Sequence, residues 1–356
     1  MSKSKPPIPV NVITGSLGVG KTTALNHLLS LRPSHERWAI LVNEYGQIGL
    51  DAALLESGPE TSGVDVREVA GGCICCSAGV MFEISLVLLL QRRPDRLLIE
   101  PTGLATLSGI LDTLARPGIR EAVDVRSILC LIDPKTLDGK AASVEVQDQI
   151  EAADILLASR SDLANASELQ RFDAWAEGLF PRKLLVEHIE DGRISLAMLD
   201  LVKRRASDAV ATTTEAQRRH EVHGHATRTD HSAPQDVVAS REEPLIRREH
   251  NTALARTMGW SVWAERVFDA DRLDRWMFET AARPGMRRLK AVVRTGSGWR
   301  AFNITEGATS MNPSAYRRDS RLEIIWMGDG RGETREIEEG FLACLAERDD
   351  VRLELD

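Results

Sequence analysis

The stretch Ile8-Pro-Val-Asn-Val-Ile-Thr-Gly15-Ser-Leu-Gly-Val-Gly20-Lys-Thr-Thr-Ala-Leu-Asn-His-Leu-Leu-Ser30 decides the fold. Its first part is rich in β-branched residues and reads as the strand Ile8–Thr14; its last part, Lys21–Ser30, is rich in helix formers. Between them, Gly15-x4-Gly20-Lys21-Thr22 fits the P-loop pattern at every position. Glycines Gly15, Gly18 and Gly20, with Ser16 and Val19, let backbone N–H groups turn inward around phosphate oxygens, and the following helix adds the positive end of its dipole. Lys21 would neutralise the β and γ phosphates, the Thr22 hydroxyl would ligate Mg²⁺, and Thr23 completes the first turn. The alternative is a glycine-rich turn that only connects strand to helix.

Outward from this stretch, short apolar runs alternate with helical patterns. Strands are expected at Trp38–Val42, Val64–Val69, Arg96–Ile99, Val125–Ile132, Asp154–Ala158 and Lys183–Val186. Helices are expected at Val80–Gln91, Leu104–Ala115, Glu145–Ala152 and Glu168–Leu179. The fold class is therefore α/β, a P-loop NTPase-type, mostly parallel sheet with helices on both faces. Arg96-Leu-Leu-Ile-Glu100-Pro-Thr-Gly103 supplies a second nucleotide element. Glu100 is placed to hold the cation and its water, and the Gly103 amide to approach the γ-phosphate as a switch. After Ile155–Ala158, Ser159-Arg160-Ser161-Asp162 stands where guanine readers carry Asn-Lys-x-Asp. Asp162 can accept from the guanine ring and amine, or can be an ordinary helix N-cap. Arg160 can lie over the base as Lys would. Ser159 lacks the amide that would contact the base and brace the loop.

A second cluster of a different kind is Gly72-Cys73-Ile-Cys75-Cys76-Ser77. Three thiolates suit Zn²⁺ or another soft or borderline ion and leave a fourth position open for exchange. Iron–sulfur or thiol redox chemistry and plain packing are the other readings. Asn43-Glu44-Tyr-Gly-Gln-Ile-Gly-Leu-Asp51 sits where switch segments lie, with Glu44 as an extra oxygen ligand, a catalytic carboxylate or a solvated acid.

The chain has 356 residues, 43% hydrophobic and 28% charged, with 45 basic against 53 acidic residues and a net charge of −8. This composition is that of a soluble globular protein and argues against a broad nucleic-acid surface. No signal peptide and no apolar run of membrane-spanning length is visible, so the expected compartment is cytoplasmic and the five cysteines are expected to be reduced. Residues 1–203 read as the nucleotide-binding domain, 204–257 as a flexible linker and 258–356 as a small α+β domain. The linker holds His220, His223, His225, His231 and His250, a candidate metal-capture segment or a bland polar connector. In the last domain, Trp260–Phe268, Arg287–Arg294, Trp299–Ile304 and Arg321–Met327 read as strands, Asp271–Ala281 and Glu336–Ala346 as helices. Its tryptophans read as core.

Taken together, Gly15–Thr23, Asn43–Asp51, Cys73-Ile-Cys75-Cys76, Glu100-Pro-Thr-Gly-Leu-Ala105 and Ser-Asp-Leu163 resemble the CobW family of P-loop GTPases, most like its YeiR type of zinc-binding GTPase. The resemblance covers the whole chain. It implies a GTP-hydrolysing metallochaperone that binds a transition metal, Zn²⁺ foremost and Co²⁺ or Fe²⁺ in some relatives, and delivers it to a client protein. On this reading Lys21, Glu100 and Glu44 are catalytic, and Cys73, Cys75 and Cys76, with Glu44, grip the metal. No nucleic acid or membrane is expected as partner, and a nucleotide- or metal-dependent dimer is allowed. Two rival classes are a small-molecule kinase with structural cysteines and a metal store without productive turnover.

Overall fold

The structure is a computed structural model that describes residues 6–42, 63–68, 78–101, 107–137, 144–201, 204–205, 237–241, 243–251, 255–305, 308–327 and 334–346. The chain divides into two compact units, Met1–Val202 and Lys203–Asp356.

In the first unit the strands are β1 Ile8–Gly15, β2 Trp38–Val42, β3 Val64–Glu68, β4 Arg96–Glu100, β5 Val123–Ile132, β6 Ile155–Ala158 and β7 Leu185–His188. They form one seven-stranded sheet in the order β3-β2-β4-β1-β5-β6-β7. Every pairing is parallel, so the expected mostly parallel sheet is wholly so. The helices are α1 Lys21–Ser30, α2 Ala78–Gln91, α3 Leu107–Leu114, α4 Val144–Ala152, α5 Ala166–Glu177 and α6 Leu196–Leu199. Parallel strands covered on both faces carry near-continuous apolar runs, which is why β2 and β6 are buried at every position.

One face of this sheet packs Ile13, Ile40, Leu98, Leu129 and Leu157 against Ala24, Leu25 and Leu28 of α1 and Met198 and Leu199 of α6. Alternation turns Val12, Leu97, Ile99 and Ile128 to the opposite face, and α2 and α3 bury Phe82, Leu86, Leu107 and Ile110. Each such side chain stabilises the fold by about 1.5–3 kcal/mol relative to exposure. The buried Asn11 in β1 departs from the apolar pattern. Its amide donates to the Ser127 carbonyl at 3.0 Å and the Leu199 carbonyl at 2.8 Å, and its oxygen accepts from Arg96 at 2.6 Å. Asn11 thereby fastens α6 to the sheet with every polar atom satisfied.

In the second unit six antiparallel strands follow the order β10-β11-β15-β12-β13-β14. They are β10 Leu245–Asn251, β11 Ala255–Trp263, β12 Met286–Thr295, β13 Gly298–Thr305, β14 Ala308–Pro313 and β15 Asp319–Met327; β8 Arg204–Arg205 pairs separately with β9 Val237–Val238. Helices α7 Ala270–Ala281 and α8 Thr334–Ala343 contribute Leu273, Met277, Ile337 and Phe341 to a core that holds Trp260, Phe302 and Trp326. Tryptophans 260, 299 and 326 are buried as expected, while Trp263 and Trp276 are only half-buried.

The stretch read as linker needs correction: β8, β9, β10 and the start of β11 lie within 204–257, and His250 is a strand residue. Strand β10 lies at the edge of its sheet, and its sequence carries little of the apolar pattern that marks an interior strand. Leu-Ile-Arg-Arg-Glu-His-Asn is held by main-chain pairing to β11 and by Arg247, whose guanidinium donates to Glu338 of α8. His220, His223, His225 and His231 lie outside the described residues. Among the described residues no helix is long and apolar enough to cross a membrane.

Candidate functional site

The strand order places β1 between β4 and β5, so the crevice at the carboxyl ends of these strands opens where the chain reverses direction across the sheet. Gly15 closes β1 with φ +141°, and a Cβ there would lie 2.4 Å from the Leu131 carbonyl oxygen and 2.9 Å from the Val19 side chain. Only glycine fits. Gly18 and Gly20 also have positive φ, +76° and +99°, and turn the loop into α1. Helix α1 has neither a side-chain cap nor an acidic residue in its first turn. Its leading N–H groups and dipole are therefore left open to an anion, with neither a capping side chain nor a first-turn carboxylate of its own to compete.

Lys21 is buried, and its ammonium donates to the Gly15 and Ser16 carbonyls, each at 3.0 Å. Burial pulls its pKa down, and the Glu100 carboxylate opposes that shift. The Thr22 hydroxyl donates to Glu100 Oε1 at 3.1 Å. Burial in turn pushes the Glu100 carboxyl up, against the Thr22 hydrogen bond and the Lys21 charge. Ammonium, hydroxyl and carboxylate thus converge on one crevice from sequence positions 78 residues apart. A hydroxyl and a carboxylate form the hard oxygen set that suits Mg²⁺ beside phosphates.

At the other end of the crevice, the Ser159 hydroxyl donates to the Val19 carbonyl at 2.6 Å. The expectation that serine here would leave the loop unbraced is corrected: the shorter side chain braces the phosphate loop directly. Arg160 adopts φ +56°, with its guanidinium 3.9 Å from the Asp133 carboxylate at the end of β5. Asp162 lies exposed on the single turn Ser161–Leu163 with no hydrogen-bond partner among the described residues. Its alternative role as a helix cap falls to Asn165, which caps α5 in a reciprocal box with Glu168 at 2.9 and 2.8 Å.

Two parts of the crevice wall were not anticipated. Asp133, at the end of β5, is a strand-ending carboxylate of the same kind as Glu100 at the end of β4. The turn after β7 holds Ser161 through the Ile189 carbonyl, and Gly192, φ +68°, sits where a Cβ would be 2.7 Å from the Ala24 nitrogen. Its Asp-Gly pair is the signal that could have marked it.

Cys73, Cys75, Cys76, Glu44 and Gly103 lie outside the described residues. The strands that lead to their segments are described. Glu100 at the end of β4 is in register with Val42 at the end of β2, and Val42 with Glu68 at the end of β3. At one strand spacing each, the Cα atoms of Glu100 and Glu68 are about 10 Å apart. Among the described residues no group of three or more His, Cys, Asp or Glu is placed to hold a metal. The two described cysteines are buried and protonated, Cys130 pushed up to about 12 and Cys344 to about 11 by burial.

The family model for the CobW/HypB/UreG nucleotide-binding domain matches residues 9–187, and that for the cobalamin synthesis protein CobW C-terminal domain matches residues 258–345. The chain is similar to the zinc chaperone YeiR of Escherichia coli strain K12, 37% identical over 320 residues that span 88% of this chain and 92% of that protein. It is 32% identical over 171 residues to the zinc-regulated GTPase metalloprotein activator 1 of Schizosaccharomyces pombe, 46% of this chain and 41% of the relative. A crystal structure of Zn(II)-bound YjiA GTPase from Escherichia coli aligns over 96% of this chain and 99% of that one, at 17% identity and TM-score 0.44. With both of its family models matched in order and a relative covered nearly end to end, this chain belongs to the CobW family.

Proposed function

We propose that this chain is a GTP-hydrolysing metallochaperone of the cytoplasm, which binds zinc through Cys73, Cys75 and Cys76 and releases it to a client protein under nucleotide control. The carrying observation is the register of Glu100, Val42 and Glu68: the γ-phosphate switch, the Asn43–Asp51 segment and the thiol segment all leave the sheet from adjacent strand ends. A nucleotide that rearranges the first is thereby within reach of the third. The names of the relatives, zinc chaperone and zinc-regulated GTPase, support the same reading. Residues 1–203 would carry both sites, with 258–356 offering the client a docking surface.

In this reading the loop amides and Lys21 cradle the triphosphate, and Lys21 leaves the Gly15 and Ser16 carbonyls to reach it. Thr22 and Glu100 would hold Mg²⁺, which when bound would supply positive charge to the triphosphate. Glu100 and Glu44 serve as the carboxylates that orient water. Hydrolysis removes the γ-phosphate, relaxes Glu100–Gly103 and loosens the thiol site.

The test is a Zn²⁺ titration under reducing conditions with a non-hydrolysable GTP analogue, GDP or no nucleotide. The analogue should tighten zinc binding by about tenfold or more. Equal affinity in the three states overturns the proposal, and phosphate transfer to an added metabolite would favour a kinase.

Two further outcomes follow from the site. Because burial raises the Glu100 carboxyl, it takes up a proton at higher pH than an ordinary carboxylate and then cannot hold a cation. Mg²⁺-dependent nucleotide affinity should therefore begin to fall, as pH is lowered, at a higher pH than an ordinary glutamate would give, and Glu100→Gln should be weak and flat across the same titration. Asp162→Ala should weaken GTP about 10–100-fold in competition binding and leave ATP unchanged, as expected for a lost charged hydrogen bond.

A further inference from the structure

Helix α3 starts at Leu107, just beyond the Glu100–Gly103 segment, and has no acidic residue in its own first turn. Its leading N–H groups are satisfied from another helix. The Asp148 carboxylate of α4 accepts from the Leu107 N–H, from the Ser108 N–H at 3.1 Å and from the Ser108 hydroxyl at 2.7 Å. A capping carboxylate offsets both the orphan donors and the positive dipole end of a helix. It usually comes from the residue before the helix; here it comes from 41 residues downstream.

That placement has a consequence for switching. A segment that reports on a phosphate must have one end that does not yield. Glu100 fixes the near end through Thr22, inside the site. The far end is the first turn of α3, and first turns fray readily without a cap. Helix α4 runs directly toward β6, whose end carries Ser159, Arg160 and Asp162, and Asp154 between them accepts from the Ile128 N–H at 3.0 Å. Asp148 therefore ties the far end of the phosphate-sensing segment to the half of the sheet that carries the base-reading residues.

Resting on the metallochaperone reading, the geometry points to Asp148 as a positioning residue: its clamp on Leu107 and Ser108 holds the start of α3 fixed, so that engagement of the γ-phosphate is passed on to turnover and to the zinc response instead of being lost in unravelling of that helix. It touches neither nucleotide nor metal.

The experiment compares wild type, Asp148→Asn, Asp148→Glu and Asp95→Asn as full-length chains. Asparagine turns one acceptor into an amide donor facing N–H groups, whereas glutamate keeps both acceptors. Asp95 is the control for stability alone, because its carboxylate accepts the Arg37 N–H at 2.7 Å where β2 and β4 begin, at the end of the strands opposite the crevice. Two quantities are read: the ratio of Zn²⁺ affinities with GTP analogue and with GDP, and kcat with KM for GTP. In Asp148→Asn both the ratio and kcat should fall about tenfold while KM and GDP affinity stay near wild type. Asp148→Glu should recover much of both, and Asp95→Asn should leave both unchanged. A wild-type ratio and kcat in Asp148→Asn, or equal losses in Asp95→Asn, overturns the assignment. If wild type itself shows no nucleotide effect on zinc, the metallochaperone reading fails, and the kcat comparison still decides the role of Asp148.

Discussion

Lys21→Ala is expected to lower GTP turnover by at least about 100-fold, the size of effect seen when one preorganised donor to a developing negative charge is removed. The reason lies in what surrounds the ammonium. It is buried, it bridges the Gly15 and Ser16 carbonyls, and it balances the Glu100 carboxylate that accepts from Thr22. Alanine removes the positive charge proposed to meet the β and γ phosphates and leaves Glu100 with one counter-charge fewer. The measurement is single-turnover phosphate release with saturating Mg²⁺. The same variant separates a nucleotide-controlled carrier from a passive store. In a carrier, zinc affinity should no longer respond to the GTP analogue. In a store, zinc affinity should be the wild-type value with and without nucleotide.

The second large effect is on the metal. Cys75→Ser should weaken Zn²⁺ at least about 100-fold, since loss of even an outer partner of a zinc ligand costs about 10–100-fold. A serine hydroxyl stays protonated at neutral pH and cannot replace a soft anionic sulfur. Nucleotide affinity measured without zinc should stay at the wild-type value, because the phosphate cradle and Glu100 are untouched. Cys344→Ala is the matching control: that thiol is buried in the second unit with its pKa pushed up to about 11, so zinc affinity should not change. A Cys75→Ser protein that binds zinc as tightly as wild type would remove the thiol site from the account.

How far each part was legible follows from how locally it is written. The phosphate loop is local: a strand, three glycines forced into positive φ, and a helix start all lie within a short run of chain. Helix α1 and strand β2 therefore fall on the residues expected of them, Lys21–Ser30 and Trp38–Val42. Strand β14 and strand β10 were not legible, because edge positions are specified by main-chain pairing to a neighbour and not by an apolar repeat. Asp162 was ambiguous for a similar reason. An acid at the start of a turn serves a cap or a ligand equally well, and only the Asn165–Glu168 box showed that the cap is filled by another residue.

By itself, the sequence determined the chemistry on offer: a P-loop motif, a strand-ending carboxylate, a turn proposed to read the base, a run of thiols and the family to which the chain belongs. Those features are encoded in neighbouring residues, whose spacing survives without knowledge of the fold. Tertiary structure alone decided which of them meet. It set β4 beside β1 so that Glu100 accepts from Thr22, used Ser159 to brace the Val19 carbonyl, and brought Asp148 across to the start of α3. These are contacts between residues 40 to 140 positions apart, fixed by strand order and helix packing. Periodicity reports which face of an element is buried and not which element covers it.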